Sequence, residues 1–153
     1  MNIIWKYVDK RAAAVAALKD YDAMKFIIEN SGEEIRGNYE SLAGVRGISY
    51  DGMPKSHNPN AGEDRILNGL ETIDILRERY RQATEFMKWF QPAWEKLTEE
   101  ERMVLDTFYS ETNAYGNSAA DHIARYFGIE QTSAYKKKNR ALDRLTMLLF
   151  GKE

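Results

Sequence analysis

The chain has no cysteine in its 153 residues. That excludes disulfides, thiolate nucleophiles and cysteine zinc sites, and it fits a reducing cytoplasm. Histidine is nearly as scarce. His57 and His122 fall in separate segments without a ligand-spaced partner, so neither a metal nor another cofactor is expected. No apolar run approaches the roughly 20 residues of a membrane span. The opening Met1-Asn2-Ile3-Ile4-Trp5-Lys6-Tyr7 lacks the charged-then-apolar layout of a secretion signal, so no membrane partner is expected. Phosphate-cradling glycine loops, nucleophile elbows and His-x-x-x-His pairs are missing too. The paired acids Glu33-Glu34, Glu63-Asp64 and Glu99–Glu101 sit at expected helix starts, which explains them without acid–base chemistry. An enzyme is therefore the least supported class. Strand-period alternation is also lacking, and an all-α fold is expected.

What remains is helix. With 43% hydrophobic and 30% charged residues, the composition is that of an ordinary globular chain. Ala14, Ala17, Tyr21, Met24 and Ile28 mark the inner face of a first helix over 8–30, closed by Ser31-Gly32. Residues 31–62 hold six of the ten glycines and two of the three prolines, Pro54 and Pro59. They are expected to form a loop, broken at most by a short helix near 33–42. The longest periodic stretch runs over 63–90, through Ile66, Leu70, Ile73, Leu76, Tyr80, Ala83, Met87 and Phe90. Pro92 is expected to end it. The first helix is too short to cover that stripe, which points to a second copy of the chain as a partner. Thr98 and Glu101 have capping-box spacing and open a further helix. A polar turn over Asn113 to Asn117 then leads to Ser118, the expected cap of the next one. This layout divides the chain into a helical N-terminal region, 1–96, and a C-terminal domain, 97–153.

Charge is distributed unevenly between these parts. Residues 1–117 carry 15 Lys/Arg against 20 Asp/Glu, whereas residues 118–153 carry seven against four. Within 131–147 there are five cations and one anion, Asp143. A basic patch on an acidic body suits a surface that meets phosphate. The local pattern agrees. Ser118 to Phe127 reads as one helix, Gly128 as a turn at positive φ, and Gln131 onward as a second helix loaded with cations. Ile123, Ala124, Phe127, Ile129 and Ala134 would supply the small core between them.

Leu97-Thr98-Glu99-Glu100-Glu101-Arg102-Met103-Val104-Leu105, with the Gly128-Ile129 turn and the closing Arg140-Ala141-Leu142 and Arg144-Leu145, resembles the helix-turn-helix of sigma factor region four. The resemblance covers about 55 residues. Glu130 stands where that family has serine or a similar cap, and Lys138 where leucine is common. The wider layout is similar to phage sigma-like regulators of the ArpU/RinA type. The resemblance implies a transcription regulator that binds double-stranded DNA, with RNA polymerase as a second partner. Gln131, Thr132, Ser133, Tyr135 and Lys136 are then expected near base edges, and Lys137, Lys138, Arg140 and His122 near phosphates. The rival readings are a DNA-packaging subunit that marks viral DNA, a helical adaptor that docks on RNA polymerase, and a helical scaffold whose basic helix binds an acidic protein.

Overall fold

The computed structural model describes residues 6–45, 61–109 and 118–152. Five helices fill them: α1 Lys10–Val45, α2 Ala61–Lys96, α3 Glu99–Tyr109, α4 Ala119–Phe127 and α5 Gln131–Phe150. No strand occurs among the described residues, and the fold is all-α as expected. His57, Pro54, Pro59 and the turn over Asn113–Asn117 lie outside the described residues.

Two expected helix ends are not there. The first helix does not stop at Ser31-Gly32 but continues to Val45, so residues 31–45 are helix rather than loop. Ser31 is buried, and its hydroxyl donates to the Ile27 carbonyl at 2.5 Å. The serine thus meets its hydrogen-bonding need inside the helix instead of ending it. Gly32 and Gly37 sit mid-helix with open space around them, each costing about 1 kcal/mol relative to alanine. The half-buried face that continues through Ile35, Asn38 and Leu42 offsets a cost of that size.

The second correction concerns Pro92, which lies inside α2 rather than ending it. A proline in a helix interior costs about 3 kcal/mol. Here the residues around it repay that cost. Phe90, Ala93, Trp94 and Leu97 are all buried, at 0–7% exposure, and each large side chain gives about 1.5–3 kcal/mol on burial. Breaking the helix at Gln91 would pull several of them out of the core. Pro92 itself faces solvent.

The chain forms two compact units, one of residues 1–23 and 86–153 and one of Met24–Glu85, so the division falls inside both long helices. In the first unit, Ala14, Ala17 and Leu18 of α1 meet Phe90, Ala93 and Trp94 of α2. Leu97, Leu105 of α3 and Ala141, Leu142 and Leu145 of α5 complete this core. Tyr21 donates to Gln91 at 3.0 Å across it. The whole segment 97–153 lies in this unit, joined by the start of α1 and the end of α2.

In the second unit, Ile73, Leu76 and Ala83 of α2 are buried. Leu42 of α1 packs at Gly69, where a Cβ would come within 2.5 Å of its Cδ2. Arg77 donates to the Tyr39 hydroxyl at 2.6 Å and stacks on its ring. Both long helices have 36 residues. The length mismatch that pointed to a second copy of the chain is therefore not present, and Leu70 and Tyr80 of the stripe are 43% exposed.

Asp106 of α3 has its pKa raised, first by partial burial and then by the nearby carboxylate of Asp22. A carboxyl whose folded pKa lies above its unfolded value opposes folding once ionised, so its effect appears as pH rises through that window. Asp106→Asn is expected to raise the melting temperature slightly at pH 7. The gain should vanish near pH 3, where both states hold the proton. Equal melting of the variant and the wild type at pH 7 would contradict this.

Candidate functional site

The helices α3, α4 and α5 pack pairwise around a small core of their own. Val104, Ile123 and Ala134 are buried in it, with Met103, Phe108, Ala124, Phe127 and Ile129 packed around them. All five core residues expected from the sequence are in this cluster. The start of α3 carries one of the two bonds that its spacing implies, since the Glu101 carboxylate reaches the Thr98 hydroxyl rather than its amide. The Glu101 amide donates to the Thr98 hydroxyl at 3.2 Å, and that hydroxyl donates to Glu101 Oε1 at 3.1 Å. Three acids in this first turn also suit the positive end of the helix.

Between α4 and α5 the chain turns at Gly128, with φ 63° and ψ 39° in the left-handed region. The Ile129 amide reaches back to the Ala124 carbonyl at 2.9 Å, which closes a Schellman turn and consumes an orphan carbonyl. Ser118 occupies the N-cap position of α4 but makes no side-chain cap bond, contrary to expectation. Its φ of −93° and ψ of 8° are not the extended backbone a capping side chain needs. Glu130 precedes α5 in extended conformation and also makes no side-chain cap bond.

The twenty residues of α5 divide by helical period. Ala134, Ala141, Leu142 and Leu145 face inward and are buried. On the opposite side Thr132, Lys136, Asn139, Arg140 and Asp143 are exposed, and Gln131 and Tyr135 are exposed at its start. Ser133 is half-buried. The cations are not equivalent. Lys136 and Arg140 stand in solvent. Lys137 Nζ lies 2.6 Å from Glu100 Oε1 and 4.6 Å from the centre of the Phe127 ring. Lys138 Nζ sits among the rings of Phe108, Tyr109 and Tyr135, at 5.4–5.9 Å from their centres. Arg144 pairs with Glu101 at 2.6 Å, and the other oxygen of Glu101, Oε2, is buried without a partner among the described residues. His122 is half-buried on α4.

Two residues that sequence reasoning passed over belong to the exposed face. Asn139 was reachable from the sequence, because it lies seven residues after Thr132 and so on the same stripe. Arg11 was not. It comes from α1, with its guanidinium 3.1 Å from Asp143 and 3.5 Å from the Asn139 carbonyl. Nothing local signals a pairing between residues 128 positions apart.

Among the described residues no group of three acids and histidines is placed to hold a metal, and no helix is long and apolar enough to cross a membrane. Compared with protein-family models, with curated proteins and with solved structures, the chain matches none.

Proposed function

We propose that α3, α4 and α5 act as a helix-turn-helix that binds double-stranded DNA, and that the protein is a sigma-like transcription regulator of the phage or prophage type. The observation that carries this reading is the outer face of α5. Thr132, Lys136, Asn139 and Arg140 line one exposed stripe on a helix set off from its neighbour by a left-handed glycine turn. A helix about 10–12 Å across fits the roughly 12 Å major groove. Cations on it supply the salt-dependent affinity, while hydroxyl and amide side chains can read base edges. Lys136 and Arg140 are the strongest phosphate contacts in this reading, because they extend into solvent. Lys137, Lys138 and Arg144 are drawn toward partners within the protein.

Fluorescence anisotropy on a mixed-sequence duplex, titrated over salt, tests the proposal. The wild type is expected to bind with a negative log–log salt slope. Replacing both Lys136 and Arg140 with alanine should shallow that slope by about 1.8, since each neutralised phosphate contributes about 0.9. An unchanged slope in a folded double variant would sink the assignment.

A further inference from the structure

The start of α3 and the middle of α5 enclose a cleft of about 360 Å³, lined by Thr98, Glu100, Glu101, Lys137, Arg140 and Arg144 among others. Lys137 and Arg144 face into it, each already paired with a carboxylate, and Arg140 stands at its rim. We infer that this cleft is a binding site for a backbone phosphate of duplex DNA, and that Glu100 keeps it closed until DNA displaces the carboxylate. The inference rests on the DNA-binding reading above and adds a second site to it, on the edge of α5 beside the exposed stripe. A helix lying in a groove has phosphates along both edges, so an edge cation is placed to meet one.

The two ion pairs differ in how firmly they are held. Glu101 is anchored by the Thr98 hydroxyl, and its side chain is only 21% exposed. Its pair with Arg144 holds α3 to α5. Glu100 is 51% exposed and is held in the cleft by Lys137 Nζ. A pair that exposed is weakly held. A phosphodiester carries the same single charge as the carboxylate it would replace, so the exchange leaves Lys137 neutralised. The Phe127 face below Lys137 Nζ keeps the ammonium in position when Glu100 leaves.

A double-mutant cycle on the full chain, read as duplex affinity at fixed salt with melting curves for every variant, decides it. E100Q should bind all sequences more tightly by about three- to fivefold, the worth of releasing an exposed ion pair. E99Q removes the same charge from the same turn and is expected to change affinity far less. K137M should weaken binding, and E100Q should bring no gain in the K137M background. A gain that persists in that background would mean Glu100 merely repels DNA through space, and the site would be wrong. Equal gains from E99Q and E100Q, or lower melting without any gain in E100Q, would overturn it as well. In each of those cases duplex binding by the wild type leaves the DNA reading standing. If no variant binds duplex, both fall together.

Discussion

Phe90→Ala is expected to destabilise the first compact unit by about 3–5 kcal/mol, the usual cost of removing a fully buried ring. Phe90 is 0% exposed. Its ring lies 5.0 Å from Tyr21, 5.3 Å from Phe86 and 5.9 Å from Trp94, centre to centre. Those neighbours come from two helices that are joined through Phe90, so the space it leaves cannot close by moving one side chain. The cost should therefore fall at the upper end of the range, since cavities that cannot collapse are the most expensive. A loss of that size on a chain this long lowers the melting temperature by roughly 10 °C or more. Trp89→Ala provides the comparison. Trp89 is 41% exposed and touches the Phe150 ring edge-on, and its loss should cost far less. Equal losses from the two variants in thermal denaturation would show that the aromatic cluster is not centred on Phe90.

The same cluster shows why part of the fold was hidden in the sequence. The capping box at Thr98, the turn at Gly128 and the core of Ile123, Phe127 and Ala134 are local features, and local spacing revealed them. The course of the long helices was not local. Ser31-Gly32 and Gln91-Pro92 carry the residue types that end helices, and both are overridden by packing. Phe90, Ala93 and Trp94 hold α2 together through Pro92, and that outcome depends on Ala14, Ala17 and Leu142 arriving from distant parts of the chain. The site divides in the same way. Period alone places Thr132, Lys136 and Arg140 on one face of α5. It does not reveal that Lys137 turns to Glu100, Lys138 to a ring cage, or that Arg11 reaches Asp143. A run of three lysines reads as one basic patch in sequence, whereas the fold sends its members to three different surroundings.

Gly128→Val is expected to separate backbone strain from crowding. An added Cβ at Gly128 meets no heavy atom within 4 Å, so neighbouring side chains would not resist it. The whole cost lies in φ 63°, ψ 39°, where an L-residue brings Cβ close to the following carbonyl. Alanine should cost about 1–2 kcal/mol there, valine more because branching narrows the allowed region further, and asparagine the least of the three. The expected order of melting temperatures is glycine, asparagine, alanine, valine. Gly32→Ala gives the opposite sign, because Gly32 is helical with open space around it. That exchange should stabilise by up to about 1 kcal/mol. The valine variant has a second consequence. If the turn relaxes to negative φ, the Ile129 amide leaves the Ala124 carbonyl, and α5 swings away from Val104 and Ile123. The proposed DNA-binding role then predicts a fall in duplex affinity at temperatures where the variant is still fully folded by circular dichroism. Unchanged melting and unchanged affinity in Gly128→Val would mean that the junction of α4 and α5 does not depend on a left-handed residue.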